Sequence, residues 1–205
     1  MRAVAVLALA YLVGSIPVAN LVARRTLGVD LRGRGVGKVS ASALYRVGGA
    51  GPLLLAAALD ITKGAVGPLA AGGRGRMLLA AFAGGLSVAG HDWSPFLHGR
   101  GGRGLAPALG ALVVLAWPGT LLLLAGLGLG KMLRHSALGG FVAEATLVPF
   151  LALAVGGDAA LAGVCVAVPL LAKRALAEGA PEVGGWRPYV GRLLFDPGDE
   201  PPGPR

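Results

Sequence analysis

Apolar runs of membrane-crossing length recur along this chain, and they leave few folds open to it. An α-helix rises about 1.5 Å per residue, so roughly 20 apolar residues cover the hydrocarbon core of a bilayer. Stretches 3–23, 50–71 and 136–155 have that length, and 77–90, 104–130 and 159–172 are shorter or interrupted apolar runs. Charged residues make up 14% of the chain, against about 25% in soluble domains, and mean hydropathy is +0.70. The expectation is an all-α polytopic membrane protein. The N-terminal run follows Met1-Arg2 and stays apolar through Ile16 and Leu21 with no clear small-residue cleavage site. It reads as a retained membrane helix and not a removed signal.

The net charge is +9, which on a soluble protein would suggest nucleic acid. Here aromatics are only 5% and the cations sit between apolar runs, so no nucleic-acid partner is expected. They read instead as cytoplasmic loop markers facing anionic headgroups. The strongest cluster is Arg24, Arg25, Arg32, Arg34, Lys38 and Arg46, in a glycine-rich loop at 24–49 whose only acid is Asp30. Stretch 104–130 is broken by Pro118-Gly119. If it is two short helices, the basic loops 24–49, 91–103, 131–135 and the stretch after 172 all fall on one side. That gives about seven membrane helices, some short or broken, with the N-terminus outside and the C-terminus cytoplasmic, in a cell (inner) membrane. Residues 1–174 form a single membrane domain. Residues 175–205 form a polar cytoplasmic segment whose Pro-rich end is expected to be disordered. Cys165 is the sole cysteine, so there is no disulfide framework and no cysteine metal cluster.

Three segments carry more than a helix bundle requires. In Asp30–Gly49, Gly33, Gly35 and Gly37 let a ligand approach the backbone, and neighbouring Arg and Lys suit a phosphate. A solvated loop touching lipid headgroups has the same composition. Asp60 and Lys63, three apart on one helix face, form an expected structural ion pair inside an apolar segment. In Gly90-His91-Asp92 to Gly104, the turn Gly101-Gly102-Arg103-Gly104 opens into an apolar helix, which offers an anion a helix N-terminus and a cation. His91 beside it suits a base or a hydrogen-bond donor.

These segments together resemble the bacterial acyl-phosphate:glycerol-3-phosphate acyltransferases. Tyr11–Pro17 is similar to that family's opening helix. Asp30–Gly49 aligns without gaps on its motif D-I-R-x-x-G-S-G-N-x-G-A-T-N-x-x-R-x-x-G. Leu59-Asp60-x-x-Lys63-Gly64 matches its second helix, and Gly90–Gly110 matches G-H-x-x-P-x-F-x-x-x-x-G-G-K-G-x-A-x-x-x-G. The resemblance implies seven membrane helices with the motifs on the cytoplasmic side. It implies acyl phosphate and glycerol 3-phosphate as substrates, lysophosphatidate as product, and neither a metal, another cofactor nor acyl-CoA. Membrane lipids, and an enzyme that produces acyl phosphate, are the implied partners.

Carried over residue by residue, Arg46, Lys38, Gly37 and Arg103 would bind phosphate, with Gly101, Gly102 and Gly104 cradling it. His91 would support the chemistry, with Ser40 and Ser42 as replacement hydroxyls. The chain also departs from the pattern. The first-motif Ser falls on Val36, its Asn residues on Lys38 and Ala43, and a later serine near Ala137 or Gly140. In the C-terminal motif H-x-x-N-x-x-R-L-x-x-G-x-E, Arg192 and Glu200 persist while Trp186 and Tyr189 stand for His and Asn. A divergent acyltransferase is the reading adopted. A non-catalytic relative binding anionic lipid or a phosphate metabolite is the alternative, and a transporter has only the intramembrane charges behind it.

Overall fold

The computed structural model describes residues 1–33 and 39–176. Among these it has nine α-helices and short 3₁₀ turns, with no strand. The first expected span is not one helix. α1 (Arg2–Gly14) and α2 (Val18–Leu27) meet at a bend of 42°. Pro17 causes it: a proline has no N–H to donate and pushes the residue before it out of the helical region. The basic stretch 24–49 is also more structured than a loop. It holds the last turn of α2, a 3₁₀ turn at Leu31–Gly33 and the amphipathic α3 (Ala41–Gly48).

α4 (Ala50–Ala71) is one unbroken helix of 22 residues, stopped by Gly72 at φ 104°. α5 (Met77–Asp92) follows. Stretch 104–130 divides into α6 (Leu105–Leu115) and α7 (Trp117–Met132). The break falls at Ala116, two residues before Pro118, because a proline is tolerated in the first turn of the helix it opens. α8 (Ser136–Ala154) and α9 (Gly157–Ala175) complete the bundle. α4 and α8 are long and apolar enough to cross a membrane, and the bent α1–α2 pair passes the same test.

α5 is the hub, packed against α1, α4, α6 and α9. Its buried face is built of Ala80, Ala81, Ala83, Gly84, Gly85, Ser87 and Gly90, residues small enough for backbones to touch. A methyl on Gly85 would strike the carbonyl of Cys165 on α9, and one on Gly90 would strike that of Tyr11 on α1. These contacts set α1, α5 and α9 side by side. Their C-terminal ends lie together, and basic connections meet there, while Arg74 and Arg76 lie at the other end of α5. Lys173 on α9 meets Gly99, its neighbour Arg174 meets Ala137 beyond the α7–α8 turn, and Leu97 shares an apolar cluster with Leu31 and Val39.

Candidate active site at the end of the bundle

The site is built where α5 stops. Ser94 precedes Pro95 and is extended, so the helix cannot continue past Trp93. The chain turns through Pro95–Leu97, enters the left-handed region at His98 and Gly99, and comes back across the end of α5. The Gly101 N–H donates to the Asp92 carbonyl and that of Gly102 to the His91 carbonyl, each at 3.2 Å. Tyr11 Oη donates to the Trp93 carbonyl at 2.8 Å and Ser94 Oγ to that of Ser15 at 2.6 Å, fastening the turn to the α1–α2 bend.

His91 is held between two partners. Its Nδ1 lies 3.6 Å from Asp60 Oδ1 on α4. Its Nε2 faces Gly102 so closely that any side chain at that position would land on the ring. Asp60 Oδ1 is also 2.7 Å from Lys63 Nζ, which donates in turn to the Ile16 carbonyl at 2.8 Å. That carbonyl lies at the proline bend, where the helix ladder is interrupted. One ammonium therefore balances the carboxylate beside His91 and ties α4 to the bend.

Beside this triad lies Asp92, fully buried, with no hydrogen bond to either carboxylate oxygen among the described residues. The carboxylate packs against Gly104, at the start of α6, where a Cβ would sit 2.8 Å from one oxygen and φ is +64°. Lys173 Nζ donates to the Asp92 carbonyl at 2.6 Å, lies 3.4 Å from that of Gly99, and stands 5.5 Å from the Trp93 ring centroid.

The Asp30–Gly49 segment docks on the same end. Asn20 Oδ1 accepts the Leu31 N–H at 2.8 Å, and Leu31, Val39 and Leu44 bury themselves with Leu97. Arg32 and Asp30 pair through two guanidinium nitrogens, with Nη2 at 2.6 Å. Those hydrogen bonds hold the exposed Asp30 carboxyl well below the usual carboxylate range and raise Arg32 above its own. Between the two segments lies a cleft of about 460 Å³ lined by Arg32, Val39, Leu97, His98 and Arg100. It is apolar at its floor and cationic at its rim.

The residues singled out from sequence fare differently. His91, Asp60 and Lys63 come together. The Gly101 and Gly102 amides are used inside the fold, so these glycines contribute close approach and not free N–H donors. Ser40 is the N-cap of α3, its Oγ accepting from the Ala43 N–H at 3.2 Å, while Ser42 lies exposed on that helix. Arg46 is exposed in the last turn of α3, Arg103 is half-buried, and Gly104 starts α6. Gly37, Lys38 and Arg192 lie outside the described residues, as do Val36, Trp186 and Tyr189.

Other residues escaped the sequence reading. Lys173 and Arg174, taken for cations closing the membrane part, turn inward. Arg174 is buried in a two-pronged pair with Glu144 of α8, at 2.8 and 3.0 Å, and also donates to the Ala137 carbonyl at 3.2 Å. Glu144 had a signal, as the lone acid of an apolar run. For Lys173, Asp92 and Arg100 there was none, because cations and acids near loops are expected there anyway.

Known proteins share this architecture. Residues 4–176 match the family described as glycerol-3-phosphate acyltransferase. Glycerol-3-phosphate acyltransferase 2 of Moorella thermoacetica is 39% identical over 152 residues, 72% of this chain and 76% of that protein. The glycerol-3-phosphate acyltransferase of Synechococcus sp. (strain CC9902) is 35% identical over 191 residues, 87% of this chain and 94% of its own. The crystal structure of PlsY (YgiH), an integral membrane glycerol 3-phosphate acyltransferase in its glycerol 3-phosphate form, superposes with a TM-score of 0.75 at 27% identity, covering 95% of this chain and 92% of that one. The extent of these matches places the chain in the glycerol-3-phosphate acyltransferase family of integral membrane acyltransferases.

Proposed function

We propose that this chain transfers a fatty acyl group from an acyl phosphate to the 1-hydroxyl of glycerol 3-phosphate, giving lysophosphatidate and orthophosphate. The observation that carries the reading is the setting of His91. Nδ1 lies 3.6 Å from the Asp60 carboxylate, and the reading assigns the proton to that nitrogen and the acceptor role to Nε2. It faces the glycine turn, and the residues leading into that turn, Leu97, His98 and Arg100, line a cleft together with Arg32.

The hydroxyl oxygen attacks the acyl carbonyl carbon, a C–O bond forms, and the carbonyl-to-phosphate C–O bond breaks. Nε2 takes the hydroxyl proton and passes it to the departing phosphate. Acyl phosphate is already an activated anhydride, so positioning and charge neutralisation supply much of the rate. Arg32, Arg46, Arg100 and Arg103 are the cations assigned to the two phosphates, with Gly37, Lys38 and Arg192 as further candidates from the sequence pattern. Ser42 remains a candidate hydroxyl, and Ser40 serves α3 first.

The same reading sets the topology. α1–α2, α4, α5, α6, α7, α8 and α9 make seven segments. The gathering of basic connections at one end supports a cytoplasmic site, an external N-terminus and the cell membrane as location. Membrane lipids surround the bundle, and an enzyme producing acyl phosphate is the partner this chemistry calls for.

The deciding experiment gives the purified protein in lipid an acyl phosphate and labelled glycerol 3-phosphate. Lysophosphatidate should form, and no more product than from the Arg46→Ala variant would sink the reading. Product from acyl-CoA but not from acyl phosphate would overturn the donor.

A further inference from the structure

Lys173 stands on α9, 74 residues from the glycine it reaches across the bundle. Its ammonium donates to the Asp92 carbonyl at 2.6 Å, and the same carbonyl accepts the Gly101 N–H at 3.2 Å. The adjoining carbonyl, of His91, accepts the Gly102 N–H, and Gly102 is the residue against which His91 Nε2 rests. A second approach, 3.4 Å to the Gly99 carbonyl, reaches the far side of the same turn. The turn has no helix or strand of its own across 98–104, so these hydrogen bonds shape it together with the Gly99 N–H to the Ser94 carbonyl and the Arg100 N–H to that of Leu97.

A cation at the C-terminus of a helix is also placed where the helix dipole favours it. Arg174 fixes the base of this arm, because its pair with Glu144 and its bond to the Ala137 carbonyl hold the end of α9 to α8.

We propose that Lys173 is a positioning residue for the acyl-transfer site: it ties the end of α9 to the glycine turn and so sets the approach of Gly102 and Arg103 to His91. The proposal rests on the acyltransferase reading above, and it assigns a role to a residue that touches neither reacting group. A lysine that served only to hold the fold would lower stability without discriminating between kinetic constants. A positioning lysine acts on substrate capture first.

The test is kinetic and structural together. Lys173→Met should raise the KM for glycerol 3-phosphate about tenfold while kcat falls less than about threefold. Lys173→Arg, which keeps charge and donors, should return KM to within about threefold of the parent. Arg174→Met, which loosens α9 from α8, should lower the melting temperature with a smaller effect on KM. Trypsin cleavage at Arg100 and Arg103 reports on the turn without requiring turnover, and it should be faster in folded Lys173→Met than in the parent. Should Lys173→Met not fold, Lys173→Gln carries the same comparison. Parent-like KM together with parent-like cleavage would overturn the proposal. Absence of product from the parent protein would instead defeat the acyltransferase reading, leaving the cleavage rates to decide the role of Lys173.

Discussion

Lys63 donates to the main-chain carbonyl of Ile16, 47 residues away, at 2.8 Å. That carbonyl sits at the Pro17 bend and also accepts the Val18 N–H at 2.9 Å, so Lys63 adds a second hydrogen bond that ties α4 to the bend. Lys63 also holds Asp60 at 2.7 Å, so its removal leaves a buried carboxylate without its cation and cuts the tie from α4 to the bend. Lys63→Met should destabilise the protein by about 3 kcal/mol or more. The double variant Asp60→Asn/Lys63→Met should lose less than Lys63→Met alone. Thermal unfolding in detergent measures both, and a double variant that is the less stable of the two would refute the account.

His91 and Gly102 should fail in different ways. His91→Gln removes the acceptor and should lower kcat by about 10²–10⁴ with stability little changed. Gly102→Ala places a methyl on the imidazole and so shifts the ring away from its position. Its activity loss should come with no recovery at high glycerol 3-phosphate. Saturation kinetics distinguish these outcomes from a simple weakening of substrate binding.

Asp30 gives a pH prediction of definite sign. Its folded carboxyl is depressed by the hydrogen bonds from Arg32, so the pair's contribution is fully present above the ordinary value of 3.8. It is lost only as pH falls through the lower folded value. The parent and Asp30→Asn should therefore show KM values with parallel pH profiles between about pH 5 and 8. A step in the ratio of the two within that window would show Asp30 titrating where this geometry forbids it.

The Glu144–Arg174 pair locks α8 to α9. Arg174→Met leaves Glu144 buried without its partner and should cost about 3 kcal/mol. Glu144→Leu/Arg174→Leu removes both charges and should recover most of that loss. Melting temperatures of the three proteins test the cycle.

Orientation has its own test. With Cys165 replaced by alanine, single cysteines placed within 24–49 or 131–135 should resist an impermeant thiol reagent in intact cells and react after lysis. Labelling of either stretch from outside would reverse the topology.

Much of this protein was readable before folding. α4 was legible whole, because a run of membrane length bounded by Gly49 and Gly72 allows hardly any other element. The pairing of Asp60 with Lys63 was legible too, since ionisable groups are costly in apolar segments and seek a partner there. The break of the first helix, the capping duty of Ser40 and the inward turn of Lys173 and Arg174 were not.

Hydropathy and spacing are properties of neighbours along the chain, and by themselves they determined that this protein crosses a membrane and which segments carry charge and glycine. Which carbonyl an ammonium reaches depends on how closely helices approach. That was decided only in the tertiary structure, by small residues such as Gly85 and Gly90 that let α5 touch α9 and α1. The close contact brings Lys173 within 2.6 Å of the Asp92 carbonyl, and it joins residues from distant parts of the sequence into one site.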